Sequence, residues 1–153
     1  MTVAKGARKS EGTALMNALQ ALPPTGKGGF ETLCALLLTK LTGTRFVAAR
    51  SGQQNGRDLD SERAGGWFVA VECKRYGATK VSERELIAEI SIANRREPGL
   101  DMWVLAASRD VDANTLQALH AHALDSGLDF QVLTCGSEHS PENMDFLCPM
   151  PAC

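Results

Sequence analysis

Trp67-Phe68-Val69-Ala70-Val71-Glu72-Cys73-Lys74 is the stretch on which the fold turns. An extended strand sends successive side chains to opposite faces, so Glu72 and Lys74 share one face while Cys73 points the other way with Val69 and Val71. Ala64-Gly65-Gly66 precedes this run, and residues 57–63 precede that turn, so the pattern predicts a hairpin of residues 57–63 and 67–74. If the loop holds three residues, with a glycine in the left-handed position, Arg63 faces Trp67 and Asp58 lies opposite Glu72. A two-residue loop would set Asp58 against Cys73 instead. The three-residue register is therefore the expectation on which the site depends.

Working outward, Arg45 to Arg50 reads as a first strand, and Ser51 to Gly56 as a polar turn region. Before them, Phe30 to Leu41 reads as a helix with Leu33, Leu36, Leu37 and Leu41 as its apolar stripe, ended by Gly43. Ser10 or Thr13 is a candidate cap for an earlier helix that carries Leu15, Met16, Leu19 and Leu22 and stops at Pro23-Pro24. On the other side, Ser82 with Glu85 three residues later forms a capping box for a helix to about Arg96, stopped by Pro98-Gly99. Met102 to Ala107 is a buried-type strand, Ala113 to Leu124 a helix, and Phe130 to Leu133 a last strand. The order α-α-β-β-β-α-β-α-β predicts an α/β fold, an antiparallel hairpin unit followed by a β-α-β half of parallel character. Residues 1–27 form a tail and short helix, 28–134 the main domain, and 135–153 an irregular tail or linker.

Composition narrows the class. A chain of 153 residues with 44% hydrophobic content suits one domain. It has no apolar run near the roughly 20 residues of a membrane span and no signal-peptide core at its start, so a cytoplasmic, non-membrane protein is expected. The five cysteines, an odd number, fit a reducing compartment. Net charge is -2, but residues 1–100 hold 15 Lys/Arg against 10 Asp/Glu, and the remainder 1 against 8. The basic part surrounds the hairpin and offers phosphate contacts that the overall charge conceals.

Asp58 and Glu72, directly opposed, would repel and weaken the strand pair unless a cation sits between them. Oxygen donors of this kind suit Mg²⁺, which takes one or two carboxylates, keeps several waters and accepts phosphate oxygens. Lys74 beside them would orient or help deprotonate a water and offset developing charge. Glu31, in the first turn of its helix, is a candidate third carboxylate. Asp60 shares the face of Asp58 and ranks second as a ligand. Taken together, this equipment can cut a phosphodiester.

Gly29-Phe30-Glu31, Ser51-Gly52-Gln53-Gln54-Asn55-Gly56-Arg57-Asp58 and Val71-Glu72-Cys73-Lys74-Arg75-Tyr76 resemble the PD-(D/E)XK nuclease superfamily. Within it the similarity is to Mrr-like restriction endonuclease domains and the nuclease domains at the N-termini of antiviral STAND NTPases. The resemblance covers about residues 28–133. It implies a restriction-endonuclease-like αβββαβ core, a mixed sheet flanked by helices, with an additional αβ unit. It also implies Mg²⁺-dependent DNA cleavage, with Mn²⁺ as a substitute metal, in a restriction or antiphage defence system. Asp58, Glu72, the Cys73 carbonyl and Glu31 would be metal ligands, and Glu31, Asp58, Glu72 and Lys74 the catalytic set. The proline that names the motif is absent, since Arg57 precedes Asp58. The alternative is a catalytically idle nucleic-acid-binding or interaction module of the same fold.

Lys27, Gln53, Arg57, Arg75 and Lys80 are candidate DNA contacts, and the scarcity of aromatics favours duplex over single strands. One site per chain must act twice to cut a duplex, which predicts a homo-oligomer, with a fused or associated NTPase or sensor supplying target choice. Thr25-Gly26-Lys27-Gly28-Gly29 lacks the spacing of a nucleotide-binding loop; backbone amides or Lys27 at this helix start are better read as phosphate contacts. Cys135, His139, Cys148 and Cys153 match no familiar zinc spacing. Glu85 and Glu89, one turn apart, read as a solvated helix face, with Glu85 a candidate to approach the site. Trp67 and Trp103 both read as core or strand-edge packing.

Overall fold

The structure, a computed structural model, describes residues 14–49, 56–62, 66–77 and 80–134. Residues 14–21 are helical (α1). They are followed by α2 (Phe30–Thr42), β1 (Phe46–Ala48), β2 (Leu59–Ser61), β3 (Val69–Lys74), α3 (Glu83–Arg96), β4 (Met102–Ala107), α4 (Ala113–Asp125) and β5 (Asp129–Thr134). The five strands form one mixed sheet in sequence order, β1-β2-β3-β4-β5. β1, β2 and β3 pair antiparallel, while β3, β4 and β5 pair parallel. The two parallel connections are the helices α3 and α4, as a crossover requires. Among the described residues no helix is long and apolar enough to cross a membrane.

The hairpin register places Leu59 opposite Val71 and Asp60 opposite Ala70, the alignment that a three-residue loop predicts. The strand alternation also appears as expected. On one face, Phe68, Ala70, Trp103, Leu105, Ala107 and Phe130 pack with Leu86, Ile90 and Ala93 of α3 and Leu119 and Ala123 of α4. Glu72 and Lys74 belong to that face by parity. On the other face, Val71, Val104, Ala106, Phe46 and Leu59 pack with Phe30, Cys34 and Leu38 of α2. Each fully buried Leu or Ile contributes on the order of 1.5–3 kcal/mol, so Leu86, Ile90, Leu105 and Leu119 anchor the α3/α4 side.

Local signals act largely where the sequence placed them. Gly43 ends α2 in the left-handed region at φ 70°, its N–H donating to the Thr39 carbonyl at 3.0 Å. The Ser82 hydroxyl accepts from the Glu85 amide and starts α3. Two expectations need correction. The buried face of α2 is Phe30, Cys34 and Leu38, not the leucine stripe, and Leu33, Leu36 (66% exposed) and Leu37 are exposed. With apolar residues at most positions of α2, periodicity leaves several stripes open, and close packing on the sheet selects the one holding the small Cys34. Strands β1 and β2 are also shorter than read, three residues each.

Candidate active site

Asp58 stands just before β2 rather than within it. Its N–H donates to the Val71 carbonyl at 2.8 Å, although Val71 already pairs with Leu59, so the ladder slips by one residue here. Direct opposition to Glu72 is thereby lost. Instead the Asp58 carboxylate reaches across and accepts from the Cys73 N–H at 2.7 Å. A strand residue points its N–H and C=O to the same edge. The Cys73 carbonyl therefore leaves β3 on the Asp58 side, while the Lys74 carbonyl accepts from Ser108 on the β4 side.

Gly56 makes this approach tight. It has φ 72°, and a Cβ there would lie 2.1 Å from the Glu89 carbonyl oxygen on α3. Its own carbonyl accepts from the buried Trp103 indole at 2.9 Å. The segment 56–58 is thus pressed between α3 and the sheet, and only glycine fits at its start.

These elements enclose a cavity of about 260 Å³ lined by Glu31, Gly56, Arg57, Asp58, Glu72, Cys73, Lys74, Glu85 and Glu89. Glu31 comes from α2, in the layer opposite α3. The Lys74 ammonium lies 2.7 Å from Glu72 Oε1, 3.4 Å from Glu85 Oε1 and 3.9 Å from Glu89 Oε1. The structure thus brings Glu31, Asp58, Glu72 and Lys74 to one cavity, together with Glu85 and Glu89.

Five carboxylates share the cavity with one ammonium. Burial, then the Asp58 charge, pushes Glu72 up to about 7, against the opposing pull of Lys74. Burial also raises Asp58, opposed by its hydrogen bond from Cys73 and by Lys74, and it raises Glu31 with help from Asp58. Glu89 is raised by burial, with Lys74 opposing and the charges of Glu85 and Asp58 adding to the rise. For Lys74 burial acts to lower the value, but Glu72, Glu89 and Glu85 outweigh it and the group is raised. Lys74 is therefore an ammonium at neutral pH. Of its three expected roles, orienting and charge-offsetting suit it, and taking a proton does not.

The cation question turns on this surplus of negative charge. Among the described residues no group of three or more His, Cys, Asp and Glu stands ready to hold a metal. Magnesium needs only one or two carboxylates and completes its shell with water and phosphate oxygens. The all-oxygen pair Asp58 and Glu72, with the Cys73 carbonyl on the same edge, fits that requirement. The elevated carboxylates mark a place where added positive charge is favourable.

Several other expectations fare differently. Asp60 does not line the cavity; Arg57 Nε binds it, while Arg57 Nη2 reaches Glu97 at 2.6 Å. The Arg57 side chain is only 8% exposed, so it is a structural clamp rather than a DNA contact. Arg75 donates to the Gln20 carbonyl at 2.8 Å and is turned toward α1. Lys27 and Lys80 are exposed. The amides of Phe30 and Glu31 are consumed by the carbonyls of Pro23 and Pro24, at 2.7 and 3.3 Å, which removes them as phosphate donors. Gln53, Cys135, His139, Cys148 and Cys153 lie outside the described residues. Glu85 and Glu89 are not merely a solvated face; both line the cavity. The helical spacing put them on one side of α3, but only the packing of α3 against the Gly56 segment aims that side at Lys74.

No family model matches this chain, and no curated protein matches it.

Proposed function

We propose that this chain is a metal-dependent endodeoxyribonuclease domain with a restriction-endonuclease-like core, similar to Mrr-like PD-(D/E)XK nucleases. The observation that carries the reading is the convergence of Asp58, Glu72 and Lys74 on one polar cavity, with the Asp58 carboxylate held by the Cys73 N–H. Asp58, Glu72 and the Cys73 carbonyl would hold Mg²⁺ or Mn²⁺, with Glu31 reaching the same ion through water. When bound, the cation polarises a phosphate oxygen and acidifies a water. Lys74 remains charged, orients the attacking water and offsets charge on the phosphoryl oxygens. Exposed Lys27 and Lys80 are the basic groups available to duplex phosphates. The biological setting that suits this chemistry is cytoplasmic restriction or antiphage defence. A second copy would supply the second cut, and an NTPase or sensor would choose the target.

The test is plasmid cleavage with Mg²⁺ or Mn²⁺ by the parent, Asp58→Ala and Lys74→Ala, each first checked for folding by circular dichroism. Nicking that requires metal and falls at least about 100-fold in both variants is the expected result. Retained nicking in both variants, or DNA binding without any cutting by the parent, overturns the reading. The second of those outcomes identifies an idle nucleic-acid-binding module.

A further inference from the structure

We propose that Glu85 and Glu89 are positioning residues that hold the Lys74 ammonium from α3, independently of Glu72, at a spacing set by Gly56. This rests on the nuclease reading for its catalytic consequence, but not for its geometry. An ammonium has three donors and no rigid plane, so its direction is fixed only by what surrounds it. Glu72 lies two residues away on the same strand face, and a pair of that kind alone fixes little. Glu85 and Glu89, one helical turn apart, bring two further carboxylates to 3.4 and 3.9 Å from Nζ. Two like charges at this spacing disfavour a helix by roughly 0.2–0.5 kcal/mol, which a cation lodged near both offsets.

Gly56 sets the distance. Because its missing Cβ lets the segment 56–58 touch the backbone of α3 at Glu89, the helix lies close enough for both acids to line the cavity. Glu89 is itself largely covered, with 20% of its side chain exposed, against 59% for Glu85. An ordinary solvated helix face would leave both carboxylates in water. The functional consequence is that Lys74 has a second anchorage. Glu72 can turn its oxygens to another ligand while the amine stays in the cavity.

Two measurements decide the matter. The first needs no activity: in metal-free protein, NMR detection of lysine ammonium protons distinguishes held ammonium groups from those exchanging rapidly with water. The Lys74 signal should survive Glu72→Gln and disappear in Glu72→Gln combined with Glu85→Gln and Glu89→Gln. Its loss in Glu72→Gln alone overturns the proposal. The second is a steady-state comparison of cleavage, with Glu83→Gln on the exposed side of the same helix turn as control. Glu85→Gln/Glu89→Gln should lower kcat about 10-fold or more while KM stays within about 2-fold, the pattern of a lost transition-state interaction. Cutting by the double variant at the parental rate overturns the proposal and leaves the nuclease reading intact. If the parent does not cut at all, the nuclease reading and the catalytic role fall together, and the ammonium signal still decides the anchorage.

Discussion

Arg57 and Lys74 are both cations set among carboxylates, on segments that share the same sheet face, yet they represent opposite uses of charge. Arg57 lies between Asp60 and Glu97, two acids for one guanidinium whose side chain is almost wholly covered. Asp60 belongs to β2 and Glu97 caps the end of α3, so this cluster ties the hairpin to the helix. Lys74 faces Glu72, Glu85 and Glu89, with Asp58 and Glu31 in the same cavity. The first cluster is nearly balanced and belongs to the architecture. The second carries more negative charge than its one ammonium can answer, and burial, with neighbouring acids adding to it at Glu72, Glu31 and Glu89, raises Glu31, Asp58, Glu72 and Glu89. Proximity of opposite charges alone does not tell a clamp from a site; the charge balance does.

The contrast predicts opposite signs of stability change. Removing the cation of the balanced cluster should have the largest effect. Arg57→Ala takes the shared guanidinium away from Asp60 and Glu97, both partly buried, a loss on the order of 3–5 kcal/mol. Urea unfolding at pH 7 should show a clear fall in midpoint. A midpoint within experimental error of the parent would mean that the triad is no clamp.

Removing a charge from the unbalanced cluster should do the reverse. The Glu72 carboxyl rises from 4.5 to about 7 on folding, so the native state binds its proton more tightly than the unfolded chain does. Stability from this group is then full below about pH 4.5, declines as pH rises toward 7, and stays reduced above. Glu72→Gln should therefore stabilise the metal-free protein at pH 8 by up to about 3 kcal/mol. The difference from the parent should shrink toward zero near pH 4.5. Thermal melts across that range check both sign and window, and a variant less stable than the parent at pH 8 would erase the contrast.

The smallest expected effect is from magnesium itself. At a concentration tenfold above its Kd, a ligand of the native state alone adds about 1.4 kcal/mol, a rise of roughly 3–6 °C in Tm at this chain length. The parent should show the rise and Asp58→Asn should not. Equal shifts in both would place cation binding elsewhere.

Much of this was legible in the sequence because it depends on local rules. The alternation of residues 67–74 fixed which side chains face α3, and Gly43 and Ser82 marked helix ends through their own backbone and hydroxyl chemistry. What was not legible depends on contacts between segments far apart in the chain. Asp58 leaves the ladder where the left-handed turn at Gly56 is pressed onto α3, so its carboxylate meets an amide rather than facing Glu72. Asp60 looked like an equivalent acid, but Glu97, thirty-seven residues on, joins it in holding Arg57. Glu89 resembled any solvated helix acid until the packing of α3 gave it a direction. In α2 the leucines outnumbered the residues that pack, and no local rule could choose between faces.

The two tryptophans, alike on paper, end in unlike surroundings. Trp67 is 58% exposed, whereas Trp103 is buried, stacked near Phe130 and bonded through its indole N–H to the Gly56 carbonyl. The protein thus carries a natural optical gauge bonded to the turn that leads into Asp58. A Trp67→Phe version would leave a single tryptophan whose emission colour reports whether that turn remains seated, before any substrate is added.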